Sequence, residues 1–117
     1  MDNSLAYQKS RAFAISIVGL YKSLTVDKKE YILSKQLLRS GTSIGANLAE
    51  AVHAISRADF MSKVYIALKE ASETEYWLTL LNETGYLGGI EYKQISEACS
   101  ELIRILIATT KTLEGKT

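Results

Sequence analysis

The residue pattern predicts an all-α fold, an antiparallel up-down-up-down four-helix bundle forming one domain over residues 1–117. Three features point there. No proline occurs in 117 residues, so nothing removes a backbone donor from the interior of a long helix. Apolar residues recur at spacings of three and four in four separate blocks, the period of a helix with one buried face. Between the blocks lie short segments with cap-spaced polar residues or glycine, and short connections make antiparallel neighbours.

The first helix is predicted over residues 4–24, with Leu5, Phe13, Ile17, Leu20 and Leu24 on one side. Thr25-Val26-Asp27 breaks it. Asp27 and Glu30 stand at capping-box spacing, which places the start of the second helix near Lys28. That helix reads to about residue 54, with Leu37, Gly41, Ile44, Leu48 and Ile55 as its core stripe. Ser56 and Asp59 repeat the spacing and open the third helix. It carries Phe60, Val64, Ala67, Ala71, Leu78 and Leu81 to Gly85, a residue suited to the left-handed conformation that ends helices. Gly88-Gly89 marks the next turn, and the fourth helix presents Ile95, Leu102, Leu106, Thr109 and Leu113 before Gly115.

A composition of 47% hydrophobic and 23% charged residues is that of a globular chain, neither disordered nor membrane-embedded. Residues 12–21 are too few for the roughly 20-residue run a membrane helix needs, and Arg104 interrupts residues 102–108. The opening Met1-Asp2-Asn3-Ser4 has no basic segment leading into an apolar one, so no secretory signal is expected. The lone Cys99 cannot close an internal disulfide, and beside Ala98 and Leu102 it reads as a small buried hydrophobe. A reducing cytoplasm is the expected location.

Within residues 37–51 two glycines, Gly41 and Gly45, stand four apart among Ser40, Ser43, Ala46 and Ala49. Glycine costs about 1 kcal/mol against alanine inside a helix, so close approach of another helix is the expected reason. Gly41 falls on the core stripe, and Gly45 falls beside it with Leu38, Ala49 and Val52, giving the helix a second, small apolar face. Ser43, Asn47 and Glu50 lie along one side. If buried they must be hydrogen-bonded, so they are expected to form a seam that fixes helix or subunit register; otherwise they are an exposed polar face. Gly41, Ser43, Gly45, Asn47 and Glu50 are therefore the predicted helix or subunit contact set.

The net charge is only +1, but residues 1–57 hold eight Lys/Arg against four Asp/Glu, and residues 58–117 six against nine. On the second helix Lys28, Lys35 and Arg39 fall near one angular position opposite Leu37, with Lys29 close by. A symmetric oligomer repeats such a stripe, which makes Lys28, Lys29, Lys35 and Arg39 the predicted contacts to an RNA or DNA phosphate backbone. The competing reading is a solvated face on a scaffold bundle that recruits a protein partner. Seven tyrosines and Trp77 are spread over all four helices and suit packing as well as base stacking.

Catalysis finds no support. Glu50 and His53 have the Glu-x-x-His spacing of di-metal bundles, but with a single histidine in the chain there is no second such pair, and no metal site or other cofactor is predicted. His53 reads instead as a surface or capping residue at a helix end. Glu70 and Glu73 lack an accompanying nucleophile, oxyanion donor or phosphate loop. The chain is therefore expected not to be an enzyme and not to act at a membrane.

The run Arg39-Ser40-Gly41-Thr42-Ser43-Ile44-Gly45-Ala46-Asn47-Leu48-Ala49-Glu50-Ala51 resembles the four-helix-bundle proteins encoded in bacterial 23S rRNA intervening sequences. Asp59-Phe60, Ala67-Leu68-Lys69-Glu70 and Glu73-Thr74-Glu75-Tyr76-Trp77-Leu78 extend the resemblance over most of the chain. The accessory variability proteins of diversity-generating retroelements look to be of the same fold group. The resemblance implies a small cytoplasmic all-α protein, a ring-like homopentamer without known enzymatic activity and with a nucleic-acid-binding role. Val26 and Gly45 stand where many relatives carry proline.

Overall fold

The computed structural model describes residues 4–115, so Met1, Asp2 and Asn3, read above for a signal, lie outside the described residues. These fold into four helices, α1 (Leu5–Val26), α2 (Leu33–Ala51), α3 (Arg57–Glu83) and α4 (Gly89–Leu113), with no strand among the described residues. Each helix packs on the next and α4 returns to α1, closing a bundle whose sparsest seam is α1–α4. Neighbours run in opposite directions. On α1, Ile17 lies against Gly41 of α2 and the earlier Ser10 against the later Gly45. Arg39 and Glu50 of α2 reach Glu70 and Lys63 of α3 in that reversed order, and Arg57 at the start of α3 donates to the Leu113 carbonyl at the end of α4.

The core follows the three-four stripes. Phe13, Ile17, Leu20 and Leu24 meet Leu37, Ile44 and Leu48, and both sets meet Val64, Ala71, Leu78, Leu81, Leu102 and Leu106. Two stripe residues fall outside it: Leu5, in the first turn of α1, is 58% exposed, and Ile55, beyond the end of α2, is 93% exposed. Near the end of α4 it is Thr110, not Thr109, that is buried. Cys99 is fully buried, its Sγ donating to the Ala71 carbonyl at 3.4 Å, and burial, with a further push from Glu75, raises its thiol to about 12. Such a thiol stays protonated and unreactive while the bundle is folded.

Helix α3 begins where the cap spacing places it. The Ser56 hydroxyl accepts from Asp59 N–H (3.0 Å), and the Asp59 carboxylate accepts from Ile55 N–H (3.1 Å). At its other end Gly85 takes a left-handed φ of 87°, and Tyr86 N–H closes back on the Leu81 carbonyl. Helix α2 departs from expectation at both ends, running from Leu33 to Ala51 and not from near Lys28 to residue 54. The reason lies in residues 27–32: Lys29 adopts φ 58°, a left-handed conformation that no helix can run through.

Glu30 then caps α2 from outside it. The helix N-cap, Ile32, makes no side-chain cap bond, and the Glu30 carboxylate accepts from the N–H groups of Ile32 (3.2 Å), Leu33 (3.0 Å) and Ser34 (2.7 Å). The Ser34 hydroxyl donates back to the Glu30 carbonyl, and Glu30 N–H ties the segment to the Leu24 carbonyl of α1. Burial pushes the Glu30 carboxyl up, but the three backbone donors together outweigh it and hold it below its ordinary value of 4.5.

Candidate nucleic-acid interface

Of the four predicted phosphate contacts, Lys28 and Lys29 lie in the α1–α2 connection, and only Lys35 and Arg39 lie on α2. The angular stripe is therefore not a single helix face. Arg39 is engaged: its guanidinium spans Glu70 and Glu73 of α3, and Trp77 Nε1–H donates to the same Glu73 carboxylate at 3.1 Å. The Trp77 donor first, then Arg39, hold Glu73 below the usual carboxylate range, and Glu73 raises Arg39 in return. With Arg39 about half exposed and Glu73 just over a third, water screens the pair, whose value is structural alignment of α2 on α3 more than stability. The signal for this was available in sequence, because Glu70 and Glu73 are three apart on the helix that follows α2.

Lys22, in the last turns of α1, stands with Lys28, Lys29 and Lys35 within residues 22–35, a basic segment running from the end of α1 through the connection into the start of α2. All four side chains are exposed and none forms an ion pair among the described residues. Asp27 lies within the segment, exposed, while the carboxylate of Glu30 is buried and committed to the backbone.

The predicted contact set divides by partner. A Cβ on Gly41 would stand 2.9 Å from both Cγ1 and Cγ2 of Ile17, and one on Gly45 would stand 3.1 Å from Ser10 Oγ, so both glycines admit α1 against α2. Ser43 and Asn47 turn to their own helix: the Ser43 hydroxyl donates to the Arg39 carbonyl (2.7 Å) and the Asn47 amide to the Ser43 carbonyl (2.8 Å). Exposed Glu50 accepts from Lys63 of α3 at 2.8 Å. Of these three residues, Glu50 alone is seen to bond to another helix among the described residues. The buried polar pair that sequence reasoning missed is Ser40 and Thr74, both 0% exposed, with the Thr74 hydroxyl donating to the Ser40 hydroxyl at 2.9 Å across α2–α3. His53 is exposed in the turn after α2.

One further surface stands out. Helix α1 contains no acidic residue, and its outer side carries Ile15 (67% exposed) and Val18 between Arg11 and Lys22, lining a shallow depression of about 490 Å³ with Ala14 and Gly19. Ala14 also borders a second groove, with Tyr7 of α1 and with Ala46 and Ala49 of α2, so the small-residue side of α2 continues onto this apolar face. Among the described residues no helix is long and apolar enough to cross a membrane.

A family model described as 23S rRNA-intervening sequence protein matches residues 2–108. Among solved structures, the chain is similar to a protein of unknown function from the S23 ribosomal protein family of Bacteroides thetaiotaomicron, at 51% identity and a TM-score of 0.91, covering 95% of this chain and 99% of that one. No curated protein matches.

Proposed function

Because the chain belongs to the 23S rRNA-intervening sequence protein family, we propose that it is a non-enzymatic cytoplasmic bundle that self-assembles and binds RNA or DNA electrostatically through residues 22–35. The observation that carries this reading is the group of four exposed lysines, Lys22, Lys28, Lys29 and Lys35, within one short segment and without an ion pair among the described residues. Each lysine that neutralises a phosphate releases a counterion, so a symmetric assembly multiplies a weak patch into a steeply salt-dependent one. Arg39 contributes alignment of α2 on α3 and little free charge.

Binding of a fluorescent RNA oligonucleotide followed by anisotropy tests the reading. Affinity is expected to fall at least tenfold between about 50 and 200 mM salt, and Lys28→Glu with Lys35→Glu to weaken low-salt binding by a further tenfold or more. No binding of RNA or DNA at low salt overturns the nucleic-acid role and leaves a scaffold that recruits a protein partner, the reading favoured by the open groove of Ala14, Ala46 and Ala49.

For assembly, the family resemblance implies a ring of five copies, and the apolar face of Ile15 and Val18, which lines one shallow depression with Ala14 and Gly19, is a surface that gains from being covered. Ile15→Glu is expected to lower the mass measured in solution towards that of one chain. A wild-type mass of one chain would sink self-assembly.

A further inference from the structure

The basic segment presents two large apolar side chains to solvent: Tyr31 is 57% exposed and Ile32 75% exposed, separated from Lys28 and Lys29 by Glu30 alone and one turn before Lys35. Their backbone is not loose. Lys28 and Glu30 N–H groups bond to the Ser23 and Leu24 carbonyls of α1, and the buried Glu30 carboxylate holds the N–H groups of Ile32, Leu33 and Ser34. The Tyr31 ring therefore projects from a connection fixed on both sides, so little backbone ordering remains to be done when a ligand arrives. The same bonds narrow another route: the N–H groups of Ile32, Leu33 and Ser34 are held by Glu30 and are not free to bind a phosphate at the α2 N-terminus. The exposed Tyr31 and Ile32 side chains offer attraction beyond the lysine charges.

We propose that Tyr31 is a stacking platform for an unpaired base, which makes single-stranded nucleic acid, or an unpaired loop within a larger one, the ligand class of the basic segment. This rests on the electrostatic reading above and narrows it. In a duplex the base faces are buried in the stack, and the lysines alone make contact; in a single strand each base has a free face for the phenol ring while the lysines track the backbone.

Paired measurements on the full chain test this, using one mixed-sequence RNA strand alone and annealed to its complement. The single strand is expected to bind more tightly than the duplex. Tyr31→Ala should weaken the single strand by about 5- to 100-fold, the range of one lost base stack, and leave duplex affinity unchanged. Tyr31→Trp should restore it, and its fluorescence should change on binding beyond the change seen with Trp77 alone. Equal binding of both forms, or single-strand affinity indifferent to Tyr31→Ala, overturns the stacking role and leaves the electrostatic reading standing. Absence of any binding at low salt overturns both. A change in solution mass on Tyr31→Ala would place the ring in a contact between copies and overturn the proposal.

Discussion

Replacing Gly41 by alanine is expected to destabilise the bundle by about 1–2 kcal/mol, although alanine is the better helix former by about 1 kcal/mol. The new Cβ would lie 2.9 Å from two branches of Ile17, a side chain with no exposed surface. A β-branched residue in a helix has one strongly preferred rotamer, so Ile17 cannot swing away, and α1 must move off α2 instead. Valine at Gly41 should cost more, in the range of several kcal/mol. Urea or thermal unfolding at fixed protein concentration measures this, each kcal/mol moving the midpoint by roughly 4 °C for a chain of this size. Two other glycines inside helices, Gly45 and Gly19, are internal controls. At Gly45 the nearest atom is Ser10 Oγ at 3.1 Å, where a few tenths of an ångström of give offset the propensity gain, so Gly45→Ala should be near neutral. At Gly19 nothing lies within 4 Å, and Gly19→Ala should stabilise by up to about 1 kcal/mol. Ile17→Ala should largely remove the penalty at Gly41, giving a coupling of about 1 kcal/mol or more in a double-mutant cycle. Equal effects at all three glycines would refute the packing account.

The four helices and most of the core were legible because burial on one face of a helix writes itself as a three-four stripe. Phe13, Ile17, Leu37, Ile44, Leu78 and Leu102 needed no other clue. The start of α3 was legible for a local reason, since Ser56 and Asp59 act on backbone within three residues of themselves. The start of α2 has the same spacing and a different geometry. Asp27-x-x-Glu30 matches the box in letters, yet Glu30 reaches forward to Ile32, Leu33 and Ser34 and not back to Asp27, because Lys29 reverses the chain between them. Lysine carries no sequence preference for the left-handed region, so nothing flagged the reversal. Polar residues were harder still. Arg39, Ser43 and Asn47 share positions on a helical wheel with residues that face outward or across, and spacing cannot say whether a side chain bonds to its own carbonyls, as Ser43 and Asn47 do, or spans to the next helix, as Arg39 does. The lysines of residues 22–35 were partly found for the wrong reason. Lys28 and Lys29 stand in the connection, and Lys22 and Lys35 on the two helices it joins, so no one helix face carries them all.

Glu30→Ala is expected to cost about 2–3 kcal/mol and to fray the start of α2. The carboxylate satisfies three backbone donors at once, and ordinary N-cap loss, which removes one such bond, costs about 1 kcal/mol. Charge adds to this, because an anion at a helix N-terminus is favoured by the aligned peptide dipoles. Glu30→Gln keeps the shape but turns amide hydrogens towards N–H donors, so it should recover only part of the loss. The pH dependence has a definite sign. Glu30 titrates below its ordinary value of 4.5 in the fold, so its contribution is complete above the unfolded value and is lost as pH falls through the lower folded one. Stability of the wild type should therefore decline from about pH 5 downwards, and Glu30→Gln should flatten that limb while lowering stability at pH 7. Glu73, also held low by Trp77 and Arg39, contributes with the same sign but from a more exposed position, so Glu73→Gln should flatten the limb less. An acid limb unchanged by Glu30→Gln would show that the cap is not what the low pH removes. The same variant bears on function: the connection that carries Lys28, Lys29 and Tyr31 is fixed by this carboxylate. Glu30→Gln should therefore weaken nucleic-acid binding, even at a temperature where the bundle stays folded, through looser presentation of residues that Glu30 itself never touches.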